Sequence, residues 1–450
     1  MTRQMPVTGY VLAFGMWHGV AAIGCSEGSK GAAPSEGGST FESAGTAGTL
    51  GAMAGGSGGA RGSALGGSAG LPATTAGASG SVAVTGGAPT AGSANASGGA
   101  GLGDPFVSGV APAAAVHFQK GINLGNRLEA PNEGDWGGVI HAEDFAFIAK
   151  RGFDHVRIPV RFSGHALAAA PFTIDDAFLQ RVDAVLDQAT AAGLAAVLDL
   201  HAYDELALGV SAEKERFLGI WSQIASHFQA RPDTVAFELF NEPYSQLDTA
   251  WNDLVASALQ VVRPNNPKRL VIVDSVFWAD PSKLGLLQLP NDANVMASIH
   301  FYEPKLFTFQ GMEWMGPVYE TTGVVFPGPP VTPVVPVQAA QDAAWANQWF
   351  VSYNANPAAT NPSGPATVAA QVALITAYQK SQGRTVYNGE WGPQEGGALD
   401  SRVRLVTMVR QECEKAGIGW AIWEDPVHMR LFDSAAGTWA DEIVDALLPR

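Results

Sequence analysis

Short runs of apolar residues recur along the chain from about residue 120 onward. They are nearly continuous in Val, Ile, Leu, Ala and Phe, with little of the polar alternation that marks a half-exposed strand. Strands that are buried on both faces of a parallel sheet have this pattern. The sequence predicts eight such strands, at 121–125, 155–160, 194–200, 235–240, 269–274, 295–301, 385–389 and 418–423.

Helical periodicity separates several of these runs. After Asp175, six apolar residues fall on one helix face, and Gly193 follows as a C-terminal cap. The six are Phe178, Leu179, Val182, Val185, Leu186 and Ala189. Eight strand–helix units predict an α/β fold, a (β/α)8 barrel of the TIM type. An open doubly wound sheet is the alternative, but no glycine-rich phosphate loop follows the first strand.

The rhythm is interrupted after the sixth strand. The segment KLFTFQGMEWMGPVYETTGVVFPGPPVTPVVPV begins with aromatic residues and ends in prolines. We expect an insertion whose second half, FPGPPVTPVVPV, is an extended strap and not a helix. Because loops at the C-terminal face of a barrel build the substrate site, the insertion is expected to form a wall of the groove.

Composition divides the chain into three parts. Between Glu42 and Asp104 the only charged residue is Arg61, and Gly, Ala, Ser and Thr dominate. Residues 26–110 are therefore predicted to be a flexible linker, since such a segment has little apolar surface to bury. Residues 111–450 are predicted to form the barrel domain, because about 340 residues suit one large domain.

Residues 1–25 resemble an export signal. Arg3 precedes a mostly apolar run over 10–24, which is too short for a membrane anchor, and small residues lead into Cys25. This ending is similar to a bacterial lipobox, in which Cys25 would be lipidated; ordinary cleavage nearby is the alternative. Either way we expect an exported protein, extracellular or lipid-anchored at a bacterial outer membrane. Cys413 is the other cysteine, so disulfides are not expected to stabilise the domain.

Net charge narrows the ligand class. The chain carries a formal charge of −16 and has no cluster of Lys and Arg. Nucleic acids and strongly anionic polysaccharides are disfavoured as partners, because their binding requires basic residues. Neutral polymers remain, and a monomer is expected.

Polar and aromatic side chains are concentrated where the predicted strands end, the position at which TIM barrels carry their chemistry. Any one of them has a structural explanation, but so many equivalent positions indicate an active site. They are Arg157, His201, Asn241, Glu242, Trp278, His300, Tyr302, Glu390 and Trp423.

Glu242 and Glu390 follow the fourth and seventh strands and are expected to face each other across the barrel mouth. Hydrolysis of a glycosidic bond needs a proton donor for the leaving oxygen and a carboxylate at the anomeric carbon. We assign Glu242 as acid/base and Glu390 as nucleophile.

Arg157 and Tyr302 are expected to keep Glu390 ionised, and His300 to tune Glu242. Asn241 is expected to hold the sugar 2-hydroxyl, and Trp423 to stack on a sugar ring.

These residues resemble glycoside hydrolase family 5, the cellulase family. The resemblance rests on FDHVRIPV, VLDLHAYD, Asn241-Glu242-Pro243, His300-Phe301-Tyr302, NGEWG and Trp423, in this order between about 121 and 426. It implies a (β/α)8 barrel, retention of configuration, and an extracellular β-glucan substrate. SIHFYEPKLFTFQ is similar to endoglucanases that carry a subdomain at the sixth loop. One departure is Ala202, where many members have a second histidine after the first.

Several alternatives stay open at this point. β-Mannanases and exo-β-glucanases share the same catalytic residues, and a non-catalytic carbohydrate-binding barrel is a candidate from another class. No HExxH motif is present, and neither a metal nor another cofactor is expected. Within the predicted barrel, residues 111–450, no G-x-S-x-G motif occurs, so a Ser-His-Asp hydrolase is disfavoured. Three further tryptophans are expected to line the groove, namely Trp136, Trp314 and Trp391.

Overall fold

The computed structural model describes residues 113–449. The predicted leader with Cys25 and the predicted linker 26–110 lie outside the described residues. Among the described helices, none is long and apolar enough to cross a membrane.

Eight parallel strands close into a barrel in the order β1 to β8, with β1 hydrogen-bonded to both β2 and β8. This confirms the (β/α)8 prediction and excludes the open sheet. The strands are β1 Lys120–Asn123, β2 His155–Val160, β3 Ala195–Leu200, β4 Val235–Glu238, β5 Val271–Asp274, β6 Val295–Phe301, β7 Val386–Trp391 and β8 Gly419–Ile422. Two short strands, β9 Phe432–Asp433 and β10 Thr438–Trp439, pair as a hairpin after β8.

Twelve helices are defined among the described residues: α1 Ala142–Arg151, α2 Asp176–Ala191, α3 Asp204–Leu208, α4 Val210–His227, α5 Leu247–Val262, α6 Val276–Ala279, α7 Lys305–Thr308, α8 Gln338–Asp342, α9 Ala344–Ala355, α10 Pro365–Gln382, α11 Leu399–Lys415 and α12 Asp441–Leu447. Six 3₁₀ helices lie between them, at Ala113–His117, Phe162–His165, Pro281–Leu286, Glu313–Met315, Pro317–Glu320 and Ala358–Thr360. Helix α2 begins after Asp175, whose side chain accepts a hydrogen bond from the Phe178 N–H, as expected for an N-cap.

Two strand boundaries differ from the prediction in ways that affect the site. β4 ends at Glu238, before Leu239 and Phe240, while β7 continues through Glu390 and Trp391. Glu390 is therefore held within a strand, whereas Glu242 lies in the loop after one. The helix expected after β5 is replaced by the short element α6, in which Phe277, Trp278 and Ala279 have left-handed backbone angles, and by the 3₁₀ helix Pro281–Leu286. A right-handed α-helix does not allow these positive φ angles.

The barrel interior has two layers. Its lower layer is an apolar cluster that includes Val197, Ile272, Met296 and Ala421, and Phe118, just before β1, packs into it. Above it, toward the C-terminal strand ends, the inward side chains are polar, including Arg157 and Glu238. A second, larger apolar cluster fills the space between strands and helices. The apolar layers thus support a buried polar layer immediately beneath the barrel mouth.

The insertion follows β6 and extends to α10. Between the 3₁₀ helix Pro317–Glu320 and α8, residues 321–337 form neither helix nor strand, as predicted for the proline-rich strap. The strap is tied to α9 and to the loop before α10: the Val334 N–H donates to Asn354 Oδ1 (2.9 Å), and the Gly328 N–H donates to the Ser363 carbonyl (2.7 Å).

Candidate active site

Arg157 is the centre of the polar layer. It lies on β2 and is fully buried. Its Nε and Nη2 donate to the two carboxylate oxygens of Glu238 (2.9 and 2.7 Å), and Nη1 donates to Glu390 Oε1 (2.7 Å). Asp199 lies 3.0 Å from Nη2. A planar guanidinium suits such bidentate pairing, and one arginine thereby fixes carboxylates from three strands.

Glu390 is buried on β7 and accepts two charge-stabilising contacts. The Arg157 guanidinium binds one of its oxygens, and the Tyr302 hydroxyl donates to the other at 3.0 Å. Burial alone would raise the pKa of this carboxyl, but the positive charges of His300, Arg157 and His201 outweigh it and lower the pKa to about 2. The expected roles of Arg157 and Tyr302 toward Glu390 match this geometry.

Glu242 has a different setting, in the loop after β4. Its side chain is 26% exposed, and its Oε1 bonds to His300 Nδ1 at 2.8 Å. The backbone of Glu242 has φ 52°, a left-handed conformation that is unfavourable for a residue with a Cβ. The Glu242 N–H donates to Asp274 Oδ2 (3.0 Å), which holds the loop in this conformation. The backbone thus directs the carboxyl toward the barrel axis.

The two glutamates meet above the polar layer. One oxygen of Glu242, one oxygen of Glu390 and a nitrogen of His300 all lie within 4.8 Å of one another. Burial lowers the pKa of His300, but Glu390, Asp274 and Glu242 overcome this and raise it to about 10, so the imidazole is protonated at neutral pH. Glu238, Asp274 and His300 form a second close cluster, in which Arg157 already occupies both oxygens of Glu238.

The remaining predicted polar residues also lie at this mouth. His201 bonds through Nδ1 to Asp199 Oδ2 (2.6 Å), and the nearby carboxylates raise its pKa against the effect of burial. Asn241 accepts from Arg157 Nη2 (2.9 Å), which fixes the amide plane and turns its NH₂ group away from the arginine. Ala202, which stands in place of the second histidine described above, has a left-handed backbone at φ 52°.

Four of the five predicted tryptophans are partly or largely exposed to solvent. Trp423 is partly exposed; its Nε1 donates to Asp425 (3.0 Å), and its ring lies 6.2 Å from that of His201. Trp278 is half-buried and stacks on Tyr244 at 5.3 Å. Trp136 is 40% exposed and Trp314 46% exposed.

Trp391 corrects the sequence expectation. It is 1% exposed and packs edge-to-face on Trp420 at 5.5 Å, within the apolar cluster between strands and helices. Tyr387 faces the barrel interior, so regular alternation along β7 would turn Trp391 inward as well. The register shift between Ile299 and His300, which leaves Gly389 as an extra residue in β7, resets the alternation, so Glu390 faces the barrel axis and Trp391 faces the helical layer. Trp391 is therefore a core residue and does not line a groove.

Sequence reasoning missed several members of the network, namely Asn123, Asp199, Glu238 and Asp274, together with Tyr244 beside Trp278. All four polar residues lie within strands and are fully buried. The available signal was a polar residue within an apolar run: Asp199 lies two residues before His201, so the alternation of a strand places both on the inner face. Glu238 and Asp274 end β4 and β5 in the same way.

Comparisons with known proteins agree with this geometry. The cellulase family model (glycosyl hydrolase family 5) matches residues 118–425. Endoglucanase H of Acetivibrio thermocellus is 35% identical over 197 residues, which cover 44% of this chain and 22% of that protein. The chain thus spans less than a quarter of the length of that relative.

Solved structures are similar to a larger share of this chain than Endoglucanase H is. A structure of Thermotoga maritima Cel5A in complex with cellobiose is 34% identical with a TM-score of 0.66, covering 74% of this chain and 99% of that chain. A Cel5A complex with mannotriose is 34% identical with a TM-score of 0.63, again covering 74% and 99%. With the family model matching most of the barrel, from Phe118 to Asp425, the chain belongs to glycoside hydrolase family 5.

Proposed function

We propose that the chain is a retaining endo-β-glucanase acting on a neutral β-1,4-linked or mixed-linkage glucan, with Glu242 as acid/base and Glu390 as nucleophile. The observation that carries the proposal is that one carboxylate oxygen of Glu242 lies within 4.8 Å of one of Glu390. Glu390 is buried, whereas Glu242 is partly exposed. Retaining enzymes have carboxyl groups about 5–5.5 Å apart, whereas inverting enzymes need about 6.5–9.5 Å for a water molecule.

In the first step, Glu242 donates a proton to the glycosidic oxygen as the bond to C1 breaks, and the Glu390 carboxylate forms a bond to C1. In the second step, Glu242 accepts a proton from water, whose oxygen replaces Glu390 at C1. The low pKa of Glu390, held by His300 and Arg157 against its burial, supports the nucleophile role. The hydrogen bond between His300 and Glu242 orients the Glu242 carboxyl for proton transfer.

The test is the stereochemistry of the product. Proton NMR of early hydrolysis products from a cello-oligosaccharide is expected to show the β-anomer first. Initial appearance of the α-anomer would contradict retention.

Variants of the two glutamates test the assignment of roles. Glu390→Gln is expected to abolish turnover on every substrate. Glu242→Gln is expected to lose most activity on poor leaving groups yet still glycosylate on activated aryl glycosides, which need little acid assistance. Glu442→Gln, at an exposed position on α12, is the matched control and is expected to behave as wild type. Equal losses on both substrate types in Glu242→Gln would exclude it as the acid.

Mannan is the second candidate substrate, because Cel5A of Thermotoga maritima has been solved with mannotriose as well as cellobiose. Initial rates on carboxymethyl cellulose, mixed-linkage β-glucan, glucomannan, mannan and xyloglucan separate the two. We expect a glucan to be hydrolysed fastest. Dominant activity on mannan would overturn the substrate and leave the two-glutamate mechanism in place.

We also propose that the protein is exported and anchored through lipidated Cys25. Support comes from the apolar run and the small residues before that cysteine. Cys25→Ser is expected to move the protein from the membrane fraction to the soluble fraction. Unchanged fractionation would favour ordinary secretion.

A further inference from the structure

Helix α9, in the insertion, carries an aromatic and polar stripe on its surface. Trp345 is 39% exposed, Trp349 is half-buried, and Ser352 and Asn356 continue the stripe past the end of the helix. Residues at i, i+4, i+7 and i+11 lie on one side of a helix. We call these four residues the Trp345 face.

The C-terminal end of the Trp345 face opens into a surface depression of about 450 Å³. It lies between α9, the 3₁₀ helix Ala358–Thr360 and α10. Its polar lining consists of Ser352, Asn356, Thr360, Asn361, Thr367 and Gln371, and one proline and two alanines complete it. Hydroxyl and amide groups thus line the depression, and none of the nine lining residues is charged.

One lining group is unsatisfied. Gln371 Oε1 is buried and has no hydrogen-bond partner among the described residues. This oxygen is closed to solvent, so a ligand hydroxyl reaches it only when the Gln371 side chain turns into the depression, and that contact would relieve the cost of an unpaired buried acceptor. The depression therefore presents uncharged hydroxyl and amide groups, and the exposed indole ring of Trp345 lies further along α9.

Sugars combine these two properties, because a pyranose ring has an apolar C–H face and a rim of hydroxyl groups. Amides and hydroxyls without charge suit a neutral ligand and disfavour phosphates and uronates. Trp345 and Ser352 are seven residues apart on the helix, a separation of about 10 Å along its axis. A ligand that touches both the indole and the depression must be an oligosaccharide and not a single sugar.

We propose that the Trp345 face and the adjoining depression form a second binding site for a neutral polysaccharide chain, separate from the catalytic carboxylates. The choice of polymer rests on the proposed function. Ring contacts of 6.3 Å join Trp345 to Tyr319 and Tyr319 to Phe309, and Phe309 lies 4.9 Å from Tyr302. Trp345 is thus three ring contacts from the tyrosine that binds Glu390, beyond reach of the sugar being cleaved. A chain held there raises the local substrate concentration at the groove.

Affinity electrophoresis of the full chain in gels containing mixed-linkage β-glucan tests the proposal. All proteins carry Glu390→Gln so that the polymer is not consumed. Trp345→Ala is expected to weaken retention about fivefold or more, since it removes an aromatic stacking surface. Val351→Ala, at a 56% exposed position elsewhere on α9, is the matched control and is expected to migrate like the parent.

Two outcomes would overturn the proposal. One is equal retention of Trp345→Ala and Val351→Ala. The other concerns Trp345→Ala made in the active enzyme, with Glu390 intact. A fall in its kcat/KM on a short aryl cellobioside would place Trp345 in the catalytic groove. Thermal melting of each variant, expected to match its parent, guards against a folding defect. Because gel retention needs no hydrolysis, failure of the second site is distinguishable from failure of the proposed glucanase activity.

Discussion

Glu242 and Glu390 are the same residue type in different surroundings. Glu390 is buried between an arginine and a tyrosine, while a quarter of the Glu242 side chain remains open to solvent beside His300. Paired carboxylates whose environments differ in this way divide acid and nucleophile roles between them. The distinction arises from their neighbours and not from the glutamates themselves.

The Tyr302 hydroxyl gives a residue-scale prediction. Tyr302→Phe removes the hydrogen bond to Glu390 Oε2, so the pKa of Glu390 is expected to rise from about 2. Since Glu390 must be ionised to react, the acidic limb of the kcat/KM–pH profile is expected to move to higher pH by up to about one unit. The kcat/KM of Tyr302→Phe at neutral pH is expected to be about tenfold lower than that of the wild type.

Tyr378→Phe serves as the control for that measurement. Tyr378 is a buried tyrosine on α10, outside the catalytic network, and its loss should leave the acidic limb in place. An unchanged acidic limb in Tyr302→Phe would show that this hydroxyl does not help to keep Glu390 ionised.

At the scale of elements, one buried arginine joins the end of α4 to the start of β4. Arg269 donates to the carbonyls of Phe228, Arg231, Pro232 and Val235, which follow the helix or begin the strand. The carbonyls of Phe228 and Pro232 also accept from the backbone N–H groups of Arg231 and Val235, so the guanidinium is a second, charged donor to them. The side chain therefore acts as a helix C-cap supplied from a distant part of the chain.

Arg269→Met is expected to lower the free energy of unfolding by about 3 kcal/mol, because four carbonyls each lose a hydrogen bond from a charged donor. Its kcat on an aryl cellobioside is expected to stay near the wild-type value. Arg430→Met is the control, since Arg430 is largely exposed and pairs with Asp433 only at 3.8 Å. Urea unfolding measures both variants, and equal stability of the two would contradict the capping role.

The first half of the insertion packs against Tyr302 and the loop after β8. Trp314 contacts Phe309 edge-on at 5.7 Å and His428, from the loop after β8, at 6.4 Å. Trp314→Ala is expected to raise KM for long glucans more than for a short aryl cellobioside, because an exposed ring contributes to distant sugar units. Equal effects on both substrates, or a clear fall in melting temperature, would assign Trp314 to packing.

At the scale of the whole molecule, the protonated His300 links stability to pH. Its pKa is raised to about 10 in the folded state, against about 6.5 in the unfolded chain. A raised histidine pKa contributes stability that is fully present below about pH 6.5 and is lost as pH rises toward about 10. The stability difference between wild type and His300→Gln is therefore expected to shrink over this window.

Melting temperatures of both proteins between pH 6 and pH 10 test this coupling. Comparing the two proteins at each pH removes the contribution of other titrating groups, such as Glu238, to the extent that they titrate alike in both. A difference that is constant with pH would show that His300 is not held protonated by the surrounding carboxylates.

The sequence by itself determined the eight strands, the closed barrel class and the strap, because apolar runs and prolines restrict the backbone locally. It also predicted that Glu242, Glu390, Arg157 and Tyr302 lie together at the barrel mouth. The structure brings the four together, although Arg157 and Glu390 lie within strands β2 and β7 and not at the strand ends. Strand limits differ from the prediction, since β7 extends two residues further than its apolar run.

Only the tertiary structure decided which of these side chains meet. Asp199, Glu238 and Asp274 are distant in sequence, and closure of the barrel brings them around Arg157 and His300. Trp391 was expected in the groove because it lies next to Glu390, but the register shift between β6 and β7 turns it into the core between strands and helices. Local pattern specifies the backbone state of a segment, whereas the partners of a side chain depend on strand register and closure, which join residues far apart in the chain.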